Sequence, residues 1–216
     1  MLGILLQRLQ ARRHHAPELL EGPRGVGKTS LLASMGAAAR ARGIVTVELE
    51  VRGDGAETSI GALVHAIEQL SPRRRLADLA GRLTALKVGP AALHVAPQPT
   101  QGLTAAALVV DLGTVAHEVG SGVLMTIDEA HEDLAATATV VQGLHRTGQH
   151  GDPMTAVIAG LPGTAAGVAR VVTYAERLRV TEVGLLNADG VAEALQGPFA
   201  DHGVAIDDDV VDTVAR

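Results

Sequence analysis

Apolar positions along the chain change rhythm repeatedly, and each change marks a predicted element. Leu2, Leu5, Leu6 and Leu9 recur at helical spacing, which predicts an amphipathic helix over residues 1–15, packed beside the pocket that follows. Residues 17–21 form a short apolar-centred run, the pattern of a buried strand. Leu31, Leu32, Met35, Ala38 and Ala39 then return to helical spacing. Arg40, Arg42 and Gly43 close that helix, because cations and a terminal glycine suit a helix carboxyl end. Residues 44–51 are rich in β-branched side chains and predict a second strand. Thr58 or Ser59 is placed to cap a helix that runs to Leu70 and stops before Pro72, and a further helix is expected over 73–86.

Pro90, Pro97 and Pro99 make residues 88–102 an exposed, irregular excursion, with 91–96 as a candidate short strand. A helix over 104–118 follows, then the compact apolar run 123–127, which leads directly into Asp128 and Glu129. Leu134, Ala138, Val141 and Leu144 share one face of a helix expected over 132–147. Residues 154–159 read as another buried strand, closed by the turn 160–163, and 179–183 as the last one. From Asn187 the pattern is helical only, with Asn187 or Asp189 capping one helix and Asp207 a second. Strands separated by helices predict a parallel sheet covered on both faces, with ligands at its carboxyl ends. The expected division is an α/β core over 1–186 and the beginning of a C-terminal α-helical lid over 187–216, truncated within that lid.

The 216 residues are 47% hydrophobic, enough for a sizeable core. Tyr174 and Phe199 are the only aromatic residues, so that core must be aliphatic. A net charge of −6 gives no global basic field to attract nucleic acid. The local clusters Arg12–Arg13 and Arg73–Arg75 read as solvated helix ends, and Asp207, Asp208 and Asp209 as negative charge at a helix amino end. No cysteine means no disulfide framework and no thiolate metal site, in keeping with a cytoplasmic protein. No apolar run approaches the ~18 residues of a membrane span, and the amino terminus lacks the marks of a secretory signal. His14, His15, His145 and His150 lack metal-ligand spacing and read as surface residues, and His131 reads as part of a helix start.

The chemistry is concentrated in Gly22, Pro23, Arg24, Gly25, Val26, Gly27, Lys28 and Thr29, which fit G-x-x-x-x-G-K-[ST] at every specified position. Such a loop turns successive backbone N–H groups toward an anion, and glycine reaches the required dihedrals without a Cβ clash. A strand before it and a helix after it complete the setting, because the helix amino end adds partial positive charge under phosphates, and Ser30 is counted with the loop as nucleotide-binding. Lys28 is expected to reach the β- and γ-phosphates, and the Thr29 hydroxyl to join a Mg²⁺ shell. The second motif is the strand ending in Asp128–Glu129. Asp128 is placed to share the metal with Thr29, and Glu129 to orient or deprotonate an attacking water.

Residues 22–29 together with Leu124-Met125-Thr126-Ile127-Asp128-Glu129-Ala130-His131 resemble the Walker A and Walker B pair of P-loop ATPases. The match is to the AAA+ superfamily, in particular the archaeal-type and bacterial ATPases related to origin-recognition and STAND proteins. Residues 157–163 resemble that family's sensor-1 strand and turn, 174–178 its arginine-finger segment with Arg177, and 184–199 the start of its lid. The resemblance implies the P-loop NTPase fold, ATP/ADP and Mg²⁺ as ligands, and hydrolysis. It also implies Arg177 acting on a neighbouring subunit's γ-phosphate in a homo-oligomer. One departure is plain: the sensor-1 strand normally ends in a polar residue, whereas here Gly160 and Leu161 stand there, with Thr155 or Thr164 as substitutes.

The expected function is therefore Mg²⁺-dependent ATP binding and slow hydrolysis that drive movement between core and lid. The alternative is a nucleotide-gated switch that hardly hydrolyses and signals to a protein partner or C-terminal effector domain. A DNA loader would need a basic winged-helix domain that these residues do not contain. A small-molecule kinase fits less well, because Glu129 after Asp128 suits water activation. No membrane partner is expected.

Overall fold

A computed structural model describes residues 2–51, 55–70, 104–172 and 178–214. The helix expected over 73–86, the excursion over 88–102, the candidate strand over 91–96 and Arg177 lie outside the described residues. The elements, in chain order, are α1 (Leu2–Gln10), β1 (Glu18–Glu21), α2 (Lys28–Arg40), β2 (Val45–Glu50), α3 (Gly55–Leu70) and α4 (Ala105–Val119). They continue with β3 (Val123–Asp128), α5 (Leu134–His150), β4 (Met154–Gly160), α6 (Thr164–Val171), β5 (Arg179–Glu182), α7 (Ala188–Asp201) and α8 (Asp208–Val214).

Among the described residues the strands form one five-stranded sheet in the order β2-β3-β4-β1-β5, with every pairing parallel. This is the expected α/β sandwich. β4 is buried along its whole length and β3 everywhere but Asp128, as strands covered on both faces must be. The pleat sends neighbours of β1 to opposite layers. Leu19 joins the core beneath α3, α4, α5 and α6, whereas Leu20 joins the one shared with α1 and α2. Both cores are aliphatic, and Phe199 is half exposed on α7.

Local chemistry sets most of the element ends. Asp133 caps α5 by accepting from the amides of Ala135 and Ala136, and Thr104 caps α4 through Ala107. Asn187, of the two candidates, caps α7. Some expectations shift. α1 ends at Gln10 because the chain turns at Arg12, which has φ 56°. α1 packs against α2 and the sheet, and none of its residues lines the cavities around the phosphate-loop motif. α3 begins at Gly55, before Thr58 and Ser59, so neither caps it. Helix α6 has no counterpart in the sequence reading. Its cap position is Gly163, which offers no side chain, and the Glu21 carboxylate from the end of β1 takes the cap's place. Glu21 accepts from Ala165 N at 2.6 Å and Gly163 N at 3.3 Å, so a residue 142 positions away supports that helix start.

Candidate functional site

Strand order explains why the two motifs meet. β1 lies between β4 and β5, yet α2 must carry the chain past β4 and β3 to reach β2 at the edge. The loop at residues 22–29 therefore leaves the carboxyl end of β1 and crosses the carboxyl end of β4 toward that of β3. Leu32, Met35 and Ala39 of α2 share a core with Leu124 of β3 and with Val157 and Ala159 of β4, which holds the helix in that position.

Within the loop, Gly25 and Gly27 both have φ 85°, the left-handed region that glycine enters without strain. Gly22 is needed for a different reason, since a Cβ there would stand 2.2 Å from the Val183 carbonyl oxygen. Gly27 caps α2 without any side-chain hydrogen bond, so the first-turn N–H groups of the helix have no capping side chain. Lys28 Nζ donates to the carbonyls of Gly22 and Pro23, each at 2.7 Å, which fixes the ammonium over the loop.

Asp128 ends β3. Its Oδ2 accepts from Thr29 Oγ1 at 2.7 Å, and its Oδ1 accepts from Glu129 N at 2.9 Å. Glu129 itself sits at φ 53°, uncommon for a residue with a side chain. Arg24, Gly25, Gly27, Lys28, Thr29 and Ser30 form one wall of a cavity of about 560 Å³. Asp128, Glu129, His131, Glu132 and the segment Ala159–Leu161 form the other wall. A second hollow of about 450 Å³ adjoins it between α2 and the ends of β2 and β3, and shares Thr29, Asp128 and Glu129.

The structure thus brings together the residues predicted for phosphate, metal and water, and adds two that sequence reasoning left out. His131 does precede α5, but its ring lines the cavity and is mostly buried. Its Nδ1 lies 3.4 Å from Glu129 Oε2 and its Nε2 lies 3.3 Å from Glu132 Oε1. Glu132 in turn faces Arg24 at 3.5 Å. The donor atoms of Glu129, His131 and Glu132 lie within 4.8 Å of one another. The sequence signal for His131 and Glu132 was their position just after the carboxylate pair.

The substitutes for a sensor-1 side chain do not reach the cavity. Thr155 is paired with Leu124 near the opposite end of the sheet and donates to Ala16 O. Thr164 donates to Leu161 O and packs against Gly160. The clearest protonation shifts also lie away from the loop. Burial lowers the pKa of His14, and burial raises that of Asp152 against the opposing fields of His150, His117 and His14. Among the described residues, no helix is long and apolar enough to cross a membrane.

A parallel sheet in this order, with a glycine loop leaving β1 and paired carboxylates at the end of β3 on the far side of β4, is the fold of a P-loop nucleoside triphosphatase. The family model of the AAA ATPase domain matches residues 1–158, and the chain belongs to that family. The ORC2 protein of Aeropyrum pernix, solved with ADPNP and ADP, has a similar structure with TM-score 0.56 and 14% identity, over 92% of this chain and 49% of that one. DnaA from Aquifex aeolicus bound to AMPPCP is similar over 99% of this chain and 54% of that one, with TM-score 0.56 and 14% identity. A Walker-type ATPase of Pyrococcus abyssi is similar with TM-score 0.56 and 15% identity, over 98% and 61% of the two chains. This chain spans roughly half the length of the first two and 61% of the third. A search of curated protein sequences found no match.

Proposed function

We propose that this AAA ATPase domain binds ATP and hydrolyses it slowly with Mg²⁺, and that nucleotide state moves a helical lid (187–216) against the α/β core (1–186). The observation that carries the reading is the Thr29–Asp128 hydrogen bond, which joins the phosphate-loop motif to the carboxylate pair across the mouth of one cavity. The uncapped amides of α2 and the Lys28 ammonium suit the β- and γ-phosphates, with Arg24 at the entrance. Thr29 and Asp128 offer hard oxygen donors side by side, the chemistry that Mg²⁺ requires. When bound, the ion neutralises charge on the phosphate oxygens. Glu129 orients the attacking water and receives its proton as the bond to the γ-phosphorus forms and ADP leaves.

Ser30 continues the phosphate-facing turn. Arg177 is assigned to a neighbouring subunit's γ-phosphate, which makes a homo-oligomer part of the reading, and the setting is cytoplasmic. Isothermal titration with Mg·ADP and Mg·ATP tests the binding, and single-turnover phosphate release tests the chemistry. No heat with either nucleotide overturns the whole reading.

A second reading is a nucleotide-gated switch that binds ATP or ADP with little turnover and signals to a protein partner or effector domain. It is favoured by the carboxyl end of β4, where Ala159, Gly160 and Leu161 bring no polar side chain to the cavity. Tight binding with phosphate release no faster than that of the Glu129→Gln variant selects this reading.

A further inference from the structure

Glu129 has too much freedom to serve as a base unaided. Its side chain is 44% exposed, and a rotating carboxylate spends little time aimed at a water. The backbone beneath it is tightly held. Glu129 N donates to Asp128, Glu132 N donates to Glu129 O at 2.9 Å, and Ala130 N donates to Ala159 O at 3.0 Å. Those bonds pin the turn at φ 53° for Glu129, a conformation that persists only when its surroundings enforce it. The same turn places the His131 ring, 17% exposed, between two carboxylates.

Both ring nitrogens of His131 are shielded from solvent and have no hydrogen-bond partner of good geometry. Nδ1 faces Glu129 at 3.4 Å and Nε2 faces Glu132 at 3.3 Å, so a small ring displacement closes either contact. An imidazole carries at least one N–H, and a buried N–H without a partner is costly. Glu132 is itself tethered to Arg24 of the phosphate loop. Arg24, Glu132, His131 and Glu129 therefore form a continuous chain from the loop to the carboxylate.

We propose that His131 is the positioning residue for Glu129, holding one carboxylate oxygen so that the other faces the attacking water, with Glu132 and Arg24 orienting the ring. This rests on the assignment of Glu129 as the base. In this role His131 acts on the reaction through Glu129. With both ring nitrogens protonated, Nδ1 donates to Glu129 and Nε2 to Glu132, and the tie of Glu132 to Arg24 links the ring to the segment that meets the phosphates.

The test is single-turnover ATP hydrolysis with Mg²⁺ as the only divalent ion, beside Mg·ADP affinity and circular dichroism, on the full chain. His131→Ala is expected to lower the hydrolysis rate about 10- to 100-fold, with ADP affinity changed by less than about twofold. His131→Gln, which keeps an N–H of similar reach, is expected to recover part of that loss, and Glu132→Gln to show a smaller one. In a Glu129→Gln background, His131→Ala should cost nothing further, because the group it positions is gone. A purely structural role would lower affinity or helical content and would add to the Glu129→Gln loss. An unchanged rate in His131→Ala beside a slow Glu129→Gln overturns the relay and leaves the base assignment standing. A normal rate in Glu129→Gln overturns both.

Discussion

Thr29 Oγ1 donates to Asp128 Oδ2 at 2.7 Å, although 99 positions separate the two residues in the chain. One ends the glycine loop and the other ends β3, and the sheet order alone makes them neighbours. The pair gives a direct test of metal binding. Asp128→Asn is expected to weaken Mg·ATP binding about tenfold or more and to leave metal-free ADP affinity nearly unchanged. Titrations with Mg²⁺ and with EDTA measure the difference. An equal magnesium effect in the variant and in the native chain would remove Asp128 from the metal shell.

Lys28 and Glu129 separate binding from chemistry. Lys28→Ala removes the ammonium that sits over the Gly22 and Pro23 carbonyls, and should abolish nucleotide binding by calorimetry. Glu129→Gln keeps the side chain's shape without its basicity. It should bind nucleotide normally and lose about 100-fold or more in phosphate release. Normal hydrolysis by Glu129→Gln would show the base to be elsewhere.

Glycine in the loop is constrained at two distinct kinds of position. Gly22→Ala drives a methyl group to 2.2 Å from the Val183 carbonyl oxygen, a main-chain atom that has little room to move. Gly27→Ala meets open space but keeps φ 85°, so its cost is conformational. Urea unfolding should show a loss of about 1–3 kcal/mol for Gly22→Ala and about 1–2 kcal/mol for Gly27→Ala. Equal stability of Gly22→Ala and the native chain would place β5 and its exit differently from this structure.

Glu21 is predicted to stabilise a helix that follows it by 142 positions. Its carboxylate accepts from Ala165 N and Gly163 N at the start of α6, where Gly163 has nothing to offer. Glu21→Ala should cost about 1 kcal/mol, the scale of a lost amino-terminal cap. Hydrogen exchange should quicken selectively in α6. Exchange that quickens uniformly across the domain would argue against a capping role.

The His14 imidazole is expected to make stability fall in mild acid. Burial lowers its pKa below the ordinary 6.5, aided by the fields of His15 and Arg8 and opposed by a Met154 backbone contact and by Asp152. A depressed folded-state pKa contributes stability that is full above 6.5 and is lost as pH falls through the lower folded value. Asp152, raised by burial, works in the opposite sense from 3.8 upward. Melting temperatures measured from pH 7.5 downward should therefore drop less steeply in His14→Gln than in the native chain. Parallel curves would assign the acid sensitivity to other groups.

Elements whose signals are local were legible from the chain alone. The glycine loop, the runs that became β2, β3 and β4, and the helix around Leu134, Ala138, Val141 and Leu144 each carry their own periodicity or dihedral requirement. So does the candidate site at Gly22–Thr29 and Asp128–Glu129, because both motifs consist of adjacent residues. α6 was not legible, since its cap comes from Glu21 on another strand. His131 was not legible either, since only the folded turn shows its ring between Glu129 and Glu132.

Adjacent residues, then, determined which segments are strands, helices and phosphate-type loop, because backbone preference and side-chain period act over a few positions. Tertiary structure alone decided which ends meet, bringing Thr29 to Asp128, Glu21 to Ala165 and Arg24 to Glu132. Those encounters follow from the order of strands in the sheet, which depends on burying both apolar faces at once and is written in no single stretch of the chain.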